Sequence, residues 1–440
     1  MHIGIIGGGI AGLTAAYRLV RAGHNVTLVE SQPQLGGQAG TFAIHGSRLE
    51  KYYHHIFTTD HEIIDLLDEL DLLPRLRWLD SKVGFFHGGK IYNFVSPGDL
   101  LRFEPISIVD RIRLGLIGLY LQRYKDWQKL EGVTAQNWIK RYAGKRNYQV
   151  VWGPLLRGKF GERQADVGMV WFWGKIHLRF ASRDKGMQQE KLGYLDGSFG
   201  LLIDELEKRI TQAGGDIQTG TAVTRIMVDQ QRVKGLMVRP SNIAGPPGRT
   251  TFLPFDAVVA TIPSPEFLSL VPELDGEYAG KLSQARYQAA MCLVLSMRQA
   301  MSPIYWMNIS DPNIPFVGAI EHTNFVDPSY YGGSHILYLS NYLSSRHPLY
   351  QMDCDELLTT YLPHLKKINP AFSPDWIEDC RLFKSDAGQP IITTYYTNRI
   401  PDHRTPIDGL YLANTTQIYP EDRGMNYSVR LGNTINRLLG

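Results

Sequence analysis

The chain has 440 residues, 43% hydrophobic and 20% charged, with a formal net charge of +3. These ordinary globular proportions exclude a collagen-like, low-complexity or disulfide-scaffold protein, and the near-neutral charge argues against a nucleic-acid binder. A chain this long builds two or three domains with room for a large ligand.

Ile3–Ile6 is a short apolar run of the kind a buried parallel strand needs. It enters Gly7-Gly8-Gly9-Ile10-Ala11-Gly12, after which Leu13, Ala16, Leu19 and Val20 recur at helical spacing until Gly23. Asn25–Val29 reads as a second strand, closed by Glu30, which lies 18 residues beyond Gly12. Each position has a physical task in holding a dinucleotide. Gly7 permits a tight turn, Gly9 lets a pyrophosphate reach the backbone, and Gly12 lets helix and strand pack closely. The helix start at Ile10 and Ala11 turns N–H groups toward phosphate, and Glu30 is placed to accept from ribose hydroxyls.

Gly36-Gly37-Gln38 follows Glu30 after five residues. The run from Gly7 to Gly37 resembles the extended dinucleotide motif of the flavin amine oxidase superfamily. That group includes protoporphyrinogen oxidase-like enzymes, phytoene desaturases and UDP-galactopyranose mutases. The resemblance implies an α/β fold with FAD as cofactor. A Rossmann-like FAD-binding domain would form from three segments, residues 1–74, 193–285 and 386–440. An inserted α+β substrate domain would take residues 75–192 and 286–385. In these families Gly37 and the next position close over the FAD diphosphate. Gln38 stands where they carry Arg, so it offers a hydrogen bond without a charge.

Lys51-Tyr52-Tyr53-His54-His55-Ile56-Phe57-Thr58 occupies the place where the family has a loop passing the flavin. His55-Ile56-Phe57 resembles the His-Ile-Phe of galactopyranose mutases. His55 is therefore a candidate for proton transfer or a hydrogen-bonded structural residue, and His54 is read as structural. Between Arg102 and Arg163 there are 13 Lys/Arg against 5 Asp/Glu. Such local basicity suits an anionic substrate, an anionic membrane surface or a solvated face. Within it, Ile106–Tyr124 has apolar Val109, Ile112, Leu116 and Tyr120 among arginines, and is read as a helix packed on a core in preference to an interfacial one. Trp152–Gly161, rich in glycine and basic residues, is read as a surface loop in preference to an anion contact, with Arg179 and Arg183 extending the basic region.

Gly193–Gly200 precedes a helix at Leu201–Ala213, and alternation predicts strands at Thr221–Val228 and Val233–Val238. In the family the backbone at Val223 faces the adenine end of FAD. Ser241–Arg249, with Gly245-Pro246-Pro247-Gly248, reads as a surface loop. Asp256–Pro263 reads as a buried strand and turn, and Phe316–Asn324 as a strand ending in polar Glu321 and His322. Adjacent strand residues face opposite ways, so only one of that pair reaches a common site, and Glu321 is the preferred catalytic candidate. Pro406–Asn414 is a strand ending at Asn414, placed where the family contacts FAD. Glu421–Asn426 leads into a helix whose dipole and first N–H groups, at Gly424, Met425 and Asn426, would face the flavin pyrimidine ring. Arg423, just before it, would favour an anion, or else pair with Glu421 or Asp422.

The resemblance implies an FAD-dependent oxidoreductase of the oxidase, dehydrogenase or desaturase type, expected to take a hydride from an organic substrate to flavin N5. A reduced-flavin nucleotide-sugar mutase is the alternative, and a non-catalytic FAD binder a third reading. Trp171, Trp173, Tyr305 and Trp306 are candidate cavity aromatics. No second glycine fingerprint, metal-ligand constellation or nucleophile elbow is found. The expected partner is a small molecule, anionic or lipophilic, and oligomeric state is left open. Cys292, Cys354 and Cys380 form no Cys-x-x-Cys pair, and Met1–Ile6 lacks a basic leader region. The expected location is therefore cytoplasmic, with peripheral membrane contact less favoured.

Overall fold

Five parallel strands form the sheet that begins the chain. They are β1 (His2–Ile6), β2 (Asn25–Val29), β3 (Asp216–Gln218), β4 (Ala257–Ala260) and β5 (Leu410–Leu412), in the order β3-β2-β1-β4-β5. Ile3, Ile5, Leu28, Val258 and Val259 are fully buried, as a sheet covered on both faces requires. The computed structural model describes residues 1–181, 190–241 and 250–440. Arg183 and the Gly-Pro stretch of the expected loop lie outside them.

Five helices matter to the site. They are α1 (Ile10–Arg21), α2 (Ile108–Arg123), α3 (Gly153–Phe160), α4 (Met169–Ala181) and α5 (Met425–Leu439). Helix α1 leaves β1 through the glycine turn, where Gly7 adopts φ 103°. Helix α5 lies directly on α1. A Cβ at Gly432 would come within 2.6 Å of the Thr14 Cβ, so glycine sets that approach.

A second sheet has seven strands. Ile377–Pro390, Tyr287–Met297 and His335–Leu343 pair antiparallel in that order, followed by Gly318–Glu321, Trp306–Ile309, Val83–His87 and Lys90–Asn93. Its apolar side packs on the helix Cys354–Ile368 through Leu293, Leu295, Leu357 and Tyr361. Helices α2, α3 and α4 share another core with Leu121, Leu156, Phe160, Trp171 and Phe172.

Three expectations are corrected here. Trp152–Gly161 is not a surface loop: most of it is helix α3, with Leu156, Gly158 and Phe160 buried and Pro154 in the first turn, where a missing N–H costs nothing. The helix at Ile108–Arg123 exists, but its apolar Val109, Ile112, Leu116 and Tyr120 are exposed, and the buried face is Leu114, Gly118 and Leu121. The predicted strand at Phe316–Asn324 ends at Glu321, and His322–Asn324 is a 3-10 turn.

Candidate active site

Two glycine turns meet at the start of α1. Gly36 N–H donates to the Gly8 carbonyl at 2.8 Å, and Gly36 and Gly37, at φ 104° and 55°, lie beside Gly9. A Cβ at Gly9 would meet no protein atom within 4 Å, so this cradle is open to a ligand. A Cβ at Gly12 would come within 1.9 Å of the Gly7 carbonyl oxygen, which makes Gly12 a packing glycine. The first-turn N–H groups at Ile10, Ala11 and Gly12 have no carbonyl one turn behind them. The Glu30 carboxylate accepts from Gly8 N–H at 2.7 Å and Gln32 N–H at 2.7 Å, fixed at the end of β2. Thr221 N–H donates to the Glu30 carbonyl at 2.9 Å, so the strand Thr221–Asp229, which carries Val223, starts at the same edge.

The start of α5 is a second open helix end. Gly424 precedes it, and a Cβ there would meet only Tyr427, at 3.8 Å. Asn426 accepts from Ile63 N–H at 3.1 Å through Oδ1, which pins the helix end while the backbone N–H groups of Met425 and Asn426 stay at the positive pole of the dipole.

Beside that end lies a cluster of charges. Buried Asp422 pairs with Lys159 from α3 and with Lys175 from α4 at 2.8 Å, and accepts from Trp171 Nε1–H at 3.0 Å and the Gln389 amide at 3.2 Å. Burial opposes ionisation of Asp422, but the two lysines outweigh it and hold the carboxyl well below the usual range. Burial pushes Lys175 down to about 8, with Lys159 and Arg179 adding to the shift against the pull of Asp422. Arg423 donates to Gln389 Oε1 at 3.1 Å and to Tyr342 O–H at 3.0 Å. Its expected carboxylate partners are engaged elsewhere, since Glu421 pairs with Arg430 at 2.9 Å. The cluster therefore carries more positive than negative charge.

The histidine loop reaches the same place. A cavity of about 40 Å³ is bounded by Gln38, Tyr52, His54, Cys292, Tyr342 and Arg423. His54 Nδ1 lies 2.5 Å from the Tyr52 carbonyl, the structural role expected of it. His55 Nδ1 lies 3.3 Å from the Tyr305 hydroxyl, and its ring is 5.6 Å from that of Trp306. Burial, with the charges of Arg179 and Lys175, pushes His55 down to about 3, so it is a neutral imidazole at physiological pH.

Other candidates lie apart from this cluster or are turned to other partners. The Glu321 carboxylate accepts from Met301 N–H at 3.0 Å and Ser302 N–H at 3.2 Å, and burial raises it to about 8. His322 contacts the Tyr331 hydroxyl at 2.8 Å, so the two neighbours do face different partners. Gln38 donates to the Ala387 carbonyl at 2.9 Å. Asn414 donates to the Ile262 carbonyl at 3.0 Å and to Ser264 Oγ at 3.2 Å, bracing the end of β4. Of the four candidate aromatics, Trp171, Tyr305 and Trp306 border the cluster, whereas Trp173 donates to the Tyr124 carbonyl on the α2 side. A larger cavity of about 230 Å³ lies beyond Asn414, lined by Ser264, Thr416, Arg163, Lys281, Arg286 and Arg399 among others. No residue of the glycine turns or the histidine loop borders it. Lys175 and Asp422 were missed as site residues in the sequence. The available signal was Trp171, Lys175 and Arg179 at i, i+4 and i+8 on one helix face.

The family model for flavin containing amine oxidoreductases matches residues 10–421. The chain belongs to this family. As a member it is a flavoprotein with FAD as cofactor, and the open glycine cradle, Glu30 and the two helix N-termini fit that group. Coproporphyrinogen III oxidase of Mycobacterium leprae is 28% identical over 228 residues, 47% of this chain and 50% of that protein. The matches span from 8% to about half of the length of the curated relatives. A structure described as a protoporphyrinogen oxidase from Exiguobacterium sp. 255-15 is similar, with TM-score 0.77 and 18% identity, covering 100% of this chain and 98% of that one. Reduced UDP-galactopyranose mutase has TM-score 0.75 and 16% identity, covering 100% and 95%. These two likenesses are likenesses of fold.

Proposed function

We propose that this flavoprotein oxidises a small anionic organic substrate held beside the flavin by Arg423, Lys159 and Lys175. The observation that carries this reading is the cluster in which two half-buried lysines share the buried carboxylate of Asp422 while Arg423 has no carboxylate partner among the described residues. Bound FAD supplies a two-electron acceptor for a hydride from the substrate. Arg423, held in place by Gln389 and Tyr342, presents a planar donor fork suited to a carboxylate or phosphate. Asp422 favours the charged form of both lysines against the burial that lowers them, and their charge raises the local positive potential. His55, neutral and braced by Tyr305, orients the substrate through hydrogen bonding and is a poor acid at neutral pH. The N–H groups and positive dipole end at the start of α5 would help hold bound FAD and stabilise negative charge on it.

The same excess of positive charge favours a second reading, a mutase acting on a nucleotide sugar, because a diphosphate would need several cations. Anaerobic absorption titration separates the two. Organic acids that bleach the oxidised flavin support oxidation. A flavin that no acid bleaches, with a nucleotide sugar isomerised only after prior reduction, would replace the oxidoreductase with the mutase.

A further inference from the structure

Helix α2 carries an apolar stripe that the fold leaves uncovered. Ile108, Ile112, Leu116 and Tyr120 recur every four residues and are 53%, 53%, 62% and 52% exposed, with Val109 beside them at 69%. Leu101 and Tyr142 extend the surface. Seven of the twelve most exposed large hydrophobic side chains among the described residues thus lie in this one region. Such concentration is unusual for a surface facing water alone. Tyr120 stacks near Trp138, and Trp138 near Tyr142, so aromatic rings continue the stripe.

The border of the stripe is basic. Arg111 donates to the Leu101 carbonyl at 2.5 Å, and Arg113 to the Tyr142 carbonyl at 2.6 Å. These bonds hold the flanking segments beside α2 and leave the guanidinium charges unneutralised. Arg146 likewise donates to the Pro105 carbonyl at 3.1 Å. Exposed Arg123 and Arg141 add to the border, and among the described residues none of these five arginines forms an ion pair.

We propose that this face of α2 docks on the surface of an anionic phospholipid bilayer. The charge decides among occupants. A second copy of the chain would bring the same arginines against themselves, whereas anionic headgroups complement them while the acyl boundary receives Ile112, Leu116 and Tyr120. The helix lies in the interface and does not cross it. It has 16 residues and includes Asp110, Arg111 and Arg113, and no helix among the described residues is long and apolar enough to span a membrane.

The test is cosedimentation of the FAD-loaded full chain with vesicles of phosphatidylcholine alone or mixed with phosphatidylglycerol. Binding to the mixed vesicles only, released by salt, is the expected result. The double variant Ile112→Glu, Leu116→Glu should lose at least about tenfold in vesicle partition while keeping its flavin absorbance and melting temperature. Arg123→Glu should weaken binding at low salt and lower its salt sensitivity. Equal partition of wild type and double variant, or equal binding to both vesicle types, overturns the proposal. So does a wild type that ignores vesicles but is a dimer by light scattering and becomes a monomer in the double variant. The outcome is independent of the reaction at the flavin.

Discussion

Gly9 and Asp422 make the most specific demands of any single positions. Space at Gly9 is open on the protein side, so Gly9→Val should keep the fold and lose only FAD. The expected readout is a colourless protein with unchanged far-ultraviolet circular dichroism, and a yellow Gly9→Val protein would contradict the cradle. Gly12→Val should instead disrupt folding, since its side chain would meet the Gly7 carbonyl. Asp422→Asn strands two cations without their carboxylate and should cost about 3–5 kcal/mol in urea unfolding. The stabilisation from Asp422 is present above the unfolded carboxylate range and is lost only as pH falls through its depressed folded value. For Lys175, the charge is present below about 8 and lost above it. The KM for an anionic substrate should therefore rise as pH climbs through that value, and Lys175→Gln should flatten the rise. His55 should add no inflection near the ordinary histidine value, because it is already neutral there. His55→Ala should retain FAD and lower turnover, and unchanged turnover would remove His55 from the site.

At the scale of elements, α1 and α5 pack into one platform, with Gly432 of α5 against Thr14 of α1. Gly432→Val would push side-chain atoms into Thr14 and the Ala15 backbone, and should cost about 1–3 kcal/mol by overpacking. A thermal melt with flavin release followed in parallel checks this, since the platform and the cofactor should fail together. The first strand, helix and second strand were legible because apolar periodicity and glycine spacing act within a few residues. The same local logic misread Trp152–Gly161, where glycine and proline composition suggested a loop but packing of Leu156 and Phe160 made a helix. It also showed the stripe on α2 without revealing its direction. Periodicity identifies a face; whether α4 covers that face or the opposite one depends on how separate helices pack.

At the scale of the whole molecule, the strand Ser47–Glu50 is pinned to the second sheet near the site. Glu50 accepts from Tyr194 O–H at 2.8 Å and Phe199 N–H at 2.7 Å, and Tyr338 from the second sheet donates to the Glu50 carbonyl at 2.8 Å. Gln38 adds a bond to Ala387 at the end of Ile377–Pro390. A cofactor bound along these elements stabilises the folded state alone. Free FAD at about 100 times its Kd should then raise stability by about 2.7 kcal/mol over the apoprotein, read as a concentration-dependent melting temperature. A melting temperature indifferent to added FAD would contradict binding to the folded chain.

The sequence by itself determined the dinucleotide cradle, the family resemblance and the polar helix start at Gly424, because each depends on residues close together in the chain. Only the tertiary structure decided which charges share the site. Lys159 and Asp422 are 263 residues apart, and Trp171 and Asp422 are 251 apart. No spacing rule links such positions. Their meeting follows from α3 and α4 closing on the turn before α5, where burial strengthens each charge interaction.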